Sequence, residues 1–166
     1  MGLLDIGPIH ATRRNHGVEH ATIHVLSEQY PQIVLAGRAD RTGFFVIGEA
    51  PTDAIAPAVE EALRRVRGGE HDLVVHPRCG TNLVVAGVLA GLASFAVAGG
   101  RRDESMWEKL PRMMLATTTA LLFAQPLGPK VQEQWTTSHN FEGAWLKSVT
   151  RRQMGDMTIH RVEIGS

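Results

Sequence analysis

Two histidines four residues apart, His16 and His20, with Glu19 just before the second, spell H-x-x-E-H within the run Asn15 to His24. On an α-helix that spacing puts the rings one turn apart and about 40° around the axis, so both imidazoles can reach one ion. Neutral imidazole nitrogens bind a divalent metal at roughly 2.0–2.1 Å, and a nearby carboxylate can take the proton of a water in an open coordination position. The chemistry expected of this triplet is metal-dependent hydrolysis, with Glu19 as catalytic base and Zn2+ as the ion. The bland alternative is a solvated helix face, where Glu and His pair for well under about 1 kcal/mol. His24 continues the same face, and Val18, Ile23, Val25 and Leu26 surround it. Imidazoles that close to apolar surface are costly unless satisfied, which favours a site.

A second donor set lies in Leu73 to Asn82. Leu73 to Val75 reads as a short buried strand, Pro77 and Gly80 punctuate a turn, and Thr81 or Asn82 can cap a following helix. That puts Cys79, the one cysteine, at a helix N-terminus, where exposed amides and the neighbouring Arg78 favour thiolate over thiol. Cys79 and His76 are the expected third and fourth metal ligands, with His24 behind them in preference. A lone cysteine is otherwise a small buried hydrophobe. His10, His71, His139 and His160 lack a comparable setting and read as surface or packing residues.

Ligand number separates two functions. Three protein donors and a water make a catalytic zinc; four donors make a closed, structural one. The chain therefore reads as a zinc-dependent hydrolase acting on an amide or ester of unknown identity, or as a noncatalytic, metal-stabilised accessory protein. A third reading is thiol chemistry at Cys79 with His76 or His20 as its base. The chain has no C-x-x-C-H for covalent haem, no phosphate-loop lysine, and no G-x-G-x-x-G after an expected strand.

The elements that must position these residues follow from periodicity. Thr12 to Gln29 has helical apolar spacing and stops at Tyr30-Pro31. Ile33 to Leu35 and Phe44 to Ile47 are β-prone runs joined by a Gly, Asp and Arg rich turn. Thr52 opens a helix with Ile55, Val59, Ala62, Leu63 and Val66 on one face, closed by Gly68-Gly69. Ala144 to Val149 and Met157 to Ile164 form a hairpin around Gly155-Asp156. The expected class is α+β: an N-terminal helix, a small, mostly antiparallel sheet with a second helix, and an apolar helical hairpin. At 166 residues this reads as one domain, 1–166, containing the hairpin 82–129 and the β-hairpin 144–164.

Lys plus Arg and Asp plus Glu number 17 each, so no global field draws the chain to nucleic acid, and five Phe, three Trp and one Tyr offer little for base stacking. A single cysteine excludes an internal disulfide framework. Met1 to Ile9 carries Asp5 and lacks a secretory signal pattern, so the chain is read as cytoplasmic or membrane-associated rather than secreted. Gly80 to Gly100 contains no charge, Met113 to Pro129 is likewise uncharged, and Arg101, Arg102, Asp103, Glu104, Glu108, Lys109 and Arg112 separate them. The first run approaches the roughly 20 residues needed to cross a bilayer, and Gly87 and Gly91 suit close helix contact. Membrane hairpin, hairpin buried in the domain, and self-association through the hairpin are the open readings. A charged loop on the cytoplasmic side would put everything before Gly80 outside without a signal peptide, which weighs against the first.

Two resemblances attach to these motifs. H-x-x-E-H at His16, Glu19 and His20 resembles the inverzincin metallopeptidases of the pitrilysin type, which implies zinc on both histidines and Glu19 as general base. In that family a downstream glutamate completes the site; Glu60, Glu61 and Glu70 are the candidates here. Over roughly Asn15 to Pro129 the chain resembles an uncharacterised bacterial family in which an EHATIH-like segment precedes LAGR, GF and HPxCGTN, found here at Glu19 to His24, Leu35 to Arg38, Gly43-Phe44 and His76 to Asn82. It is also distantly similar to membrane proteins with GAEH and HPRCGT segments. These resemblances imply that the two motifs belong together.

Overall fold

Helices and an antiparallel sheet account for nearly all of the chain in this computed structural model, which describes residues 7–99 and 104–165, and the class is α+β as expected. The N-terminal residues Met1 to Ile6, and Arg101, Arg102 and Asp103 of the charged linker, lie outside the described residues. Two compact units are present: Met1–His76 with Glu133–Ser166, and Pro77–Gln132.

In the first unit, helix α1 (Gly7–Gln29) and helix α2 (Thr52–Arg67) pack on one face of a four-stranded sheet ordered β1-β2-β4-β3, all neighbours antiparallel. The strands are β1 (Ala36–Asp40), β2 (Gly43–Ile47), β3 (Trp145–Met154) and β4 (Met157–Gly165). Alternation sends Phe44, Val46, Val162 and Ile164 to the helix-covered face, where they are buried with Val18 and Leu26 of α1 and Ile55 and Val59 of α2. Each such side chain contributes roughly 1.5–3 kcal/mol by leaving water. The C-terminal β-hairpin forms as expected and is longer, with a bulge between Leu146 and Ser148.

Three boundaries differ from the sequence expectation. Helix α1 includes five residues before Thr12, and Thr12, inside the helix, donates its hydroxyl to the Pro8 carbonyl at 2.9 Å. The first strand is Ala36–Asp40 rather than Ile33–Leu35: Asp40 accepts from the Thr42 and Gly43 amides at 2.8 and 3.1 Å, and this turn sets the pairing of Ala36 with Ile47. Leu73–Val75 is not a strand, since His71–Val74 forms a 3₁₀ turn and only Val75 is extended.

In the second unit, helix α3 (Gly80–Ala98) and helix α4 (Met106–Val131) pair antiparallel, so the apolar hairpin is present. Cys79 itself, rather than Thr81 or Asn82, is the N-cap of α3: its sulfur accepts from the Thr81 amide at 3.4 Å. Ser105 and Glu108 close a reciprocal capping box at the start of α4.

On the open face of the sheet Arg161 reaches Asp40 at 2.9 and 3.0 Å and lies 4.5 Å from the centre of the Phe45 ring. Burial pushes the Asp40 carboxyl up, but hydrogen bonds from Arg161 and Thr42 outweigh it and hold the pKa at about 2. A depressed carboxylate pKa contributes stability that is present above the unfolded value near 3.9 and lost as pH falls through about 2. Asp40 is 45% exposed, so Asp40→Asn is expected to lower stability at neutral pH by less than about 1 kcal/mol. Denaturant midpoints should show that deficit closing as pH falls to about 2.

Candidate metal centre

Helix α1 presents three histidines along one edge, and main-chain carbonyls fix the tautomer of each. His16 Nδ1 lies 2.9 Å from the Thr136 carbonyl, and His20 Nδ1 lies 2.7 Å from the Val74 carbonyl. A carbonyl only accepts, so both Nδ1 atoms carry hydrogen, and in the neutral rings the lone pairs reside on Nε2. Metal-binding histidines are held in this way, the outer nitrogen anchored by a carbonyl or carboxylate and the inner one bare of hydrogen. The two rings meet edge to face with centroids 4.3 Å apart. His24 is reversed: its Nε2 donates to the Val75 carbonyl at 3.0 Å, leaving the lone pair on Nδ1. His76 comes to the same edge, its ring 5.7 Å from His20 and 4.9 Å from His24.

These bonds explain why Leu73–Val75 is no strand. Its two terminal carbonyls are taken by imidazoles of α1 and are not offered to a neighbouring strand. The Thr136 carbonyl arrives through the wider turn Gln132–Thr136, followed by a segment clamped to α1: Arg13 donates to the Gln134 and Thr137 carbonyls, and Ser138 donates its amide to the Arg13 carbonyl. Gly17 makes the approach feasible, because a Cβ there would stand 2.3 Å from the Ser138 carbonyl oxygen.

Glu19 is turned toward the sheet. Its side chain is buried against β1, and a Cβ on Gly37 would lie 2.1 Å from its Oε1 and 2.5 Å from its Cδ. Gly17 and Gly37 are positioning residues that motif reading overlooked; a glycine inside a helix, at about 1 kcal/mol relative to alanine, was the available signal.

Cys79 follows His76 by three residues, a reach of at most about 11 Å along the chain. His16, His20 and Cys79 form a cluster that could hold a metal ion, and the donors fit one: two imidazoles with oriented nitrogens, and a sulfur at a helix N-terminus. Of the remaining sequence candidates, Glu61 is engaged by Arg64 and Glu70 by Arg65. His71 stacks on His139 at 4.4 Å, and His160 is fully buried with its Nε2 2.9 Å from the Thr52 hydroxyl.

A two-layer α+β unit that carries paired histidines on a buried helix, followed by a Cys-capped apolar hairpin, describes the class of protein. The chain belongs to the family described as Domain of unknown function (DUF6391), whose profile matches residues 11–149. An uncharacterised protein of Picosynechococcus sp. is 36% identical over 136 residues, a stretch covering 76% of this chain and 65% of that protein. The chain thus spans about two thirds of that relative's length. No solved structure matches.

Two outcomes follow from this geometry. In metal-free protein, nitrogen-resolved NMR should find His16 and His20 as the Nδ1–H tautomer and His24 as the Nε2–H tautomer; a shared tautomer would contradict the carbonyl bonding. Gly37→Ala should destabilise the fold by about 1–3 kcal/mol, read from thermal unfolding, because the new methyl displaces a buried carboxylate.

Proposed function

We propose that the protein binds zinc through His16, His20 and Cys79 and uses it to hydrolyse an amide or ester bond. The observation that supports this reading most is the pair of Nδ1–H bonds to the Thr136 and Val74 carbonyls, which leaves both rings in the ligating form with 4.3 Å between centroids. Mixed imidazole and thiolate donors suit zinc better than magnesium or calcium, which take oxygen. Three protein donors leave one coordination position open. A zinc ion held there would lower the pKa of a bound water and polarise a substrate carbonyl.

In this reading Glu19 is the base, accepting the water proton and returning it to the leaving group. Its carboxylate is buried against Gly37, and the base role requires it to reach a water on the ion from there. His16 and His20 keep their outer nitrogens on the main chain and supply only the inner ones.

A noncatalytic alternative has its own support. The His76 ring is 5.7 Å from that of His20, and a modest rotation would make it a fourth donor in a closed structural site. Variant chemistry separates the two. Wild-type protein is expected to carry near-stoichiometric zinc by elemental analysis, and His20→Ala to lose it. For a catalytic site, Glu19→Gln should keep zinc and lose about 10²- to 10⁴-fold in hydrolysis of ester and peptide substrates, with His76→Ala retaining zinc. For a structural site, His76→Ala should lose zinc and thermal stability together, and wild type should hydrolyse nothing. Zinc-free wild-type protein of full stability would remove both readings.

A further inference from the structure

We infer that the α3–α4 hairpin is embedded in a lipid bilayer. The inference is independent of the metal reading and rests on how the two helices face each other.

Apolar side chains cover the outer face of the helix pair as well as its contact face. The half-buried face of α3 carries Ala86, Ala90, Ser94 and Ala98 together with Val85, Leu89 and Val97, and that of α4 carries Met113, Ala116, Thr117, Ala120 and the buried Ala124 and Gly128. Small residues at four-residue spacing let two backbones come close, the arrangement favoured where lipid tails give apolar side chains no reason to hide. Further large apolar residues lie on the outer face: Leu83, Leu92 and Phe95 on α3, and Leu115, Leu122 and Phe123 on α4, are each more than half exposed. In water those residues would drive the packing. Gly87 and Gly91, expected from the sequence to form the helix contact, meet nothing within 4 Å and face outward with them.

Several polar groups of the hairpin are satisfied from within, as a bilayer favours. Ser94 and Thr117 share a hydrogen bond at 2.6 Å across the helix pair, and Thr119 returns its hydroxyl to the Leu115 carbonyl at 2.8 Å. Lys109 donates to the Ala98 carbonyl at the C-terminal end of α3. Asn82 and Gln132 are joined at 2.6 Å at the opposite end.

Length and charge fit the same occupant. Among the described residues, Gly80–Ala98 is the one helix long and apolar enough to cross a membrane, and none of that span is buried. Its 19 residues rise about 28 Å, close to the roughly 30 Å hydrocarbon core. Charged residues bracket the pair at both ends, Arg78 and Lys130 at one and Glu104, Glu108, Lys109 and Arg112 at the other, where Arg112 pairs with Glu104.

The test is cell-free synthesis of the full chain with and without vesicles of phosphatidylcholine and phosphatidylglycerol, followed by alkaline carbonate washing and flotation. The wild-type chain should float with the vesicles after the wash and precipitate without them. Leu92→Arg combined with Leu122→Arg, charges on outward positions, should cut the floating fraction at least about tenfold. Phe95→Leu, which keeps that face apolar, should leave it unchanged. A chain that stays monomeric and soluble without lipid overturns the inference. So does a soluble, defined oligomer, in which second copies cover the apolar face, and so does release of the wild type by carbonate, which marks peripheral attachment.

Discussion

Hydrogen bonds from imidazole rings to main-chain carbonyls are the constraint on which the candidate centre depends. His16, His20 and His24 reach three carbonyls on two separate segments, at Thr136, Val74 and Val75, and each bond replaces one that regular structure would have made. One such bond contributes about 1 kcal/mol net, yet leaving a buried carbonyl unpaired costs about 1–3 kcal/mol. The side chains of α1 thereby decide the backbone shape of their neighbours, a tight turn at His71–Val74 and a wide one at Gln132–Thr136. Gly17 is where α1 yields space for this, beside the Ser138 carbonyl.

Periodicity was sufficient for the elements whose stability comes from one apolar face. Helix α2 starts and stops where Thr52 and Gly68 indicate, and the C-terminal hairpin turns at Gly155-Asp156. Where a different force rules, the pattern misled. The segment Ala36–Asp40 has little β propensity and pairs because the Asp40 turn and the close passage of α1 select it, while Leu73–Val75 has ample propensity and does not pair because histidines hold its carbonyls. Residue types announced the cluster of His16, His20 and Cys79. Nothing in their order revealed which ring nitrogen each uses, since that follows from the partner on the other side of the ring. Glu19 was read as standing beside the histidines, and its close fit to Gly37 is visible only once β1 and α1 are brought together.

The hairpin illustrates the same limit for burial. Runs of Ala, Gly, Val and Leu without charge are compatible with a protein core or with lipid, and composition does not distinguish them. What composition leaves open is which residues meet the partner helix: Val85, Leu89 and Val97 do so beside the alanines, while Leu83, Leu92 and Phe95 are exposed. The two glycines that looked like a packing motif lie on the outer side, and the alanine and serine positions one residue earlier in the repeat or nearby form the contact instead.

The division of labour within each imidazole has a bearing on what acid does to this architecture. An imidazolium still donates from Nδ1, so proton uptake by His16 or His20 would abolish its ability to hold a cation while keeping its grip on the backbone. A zinc finger collapses when protons displace its ion, since there the ion is the only crosslink. Here His16 and His20 are tied to the Thr136 and Val74 carbonyls by their own hydrogen bonds, crosslinks that do not require an ion.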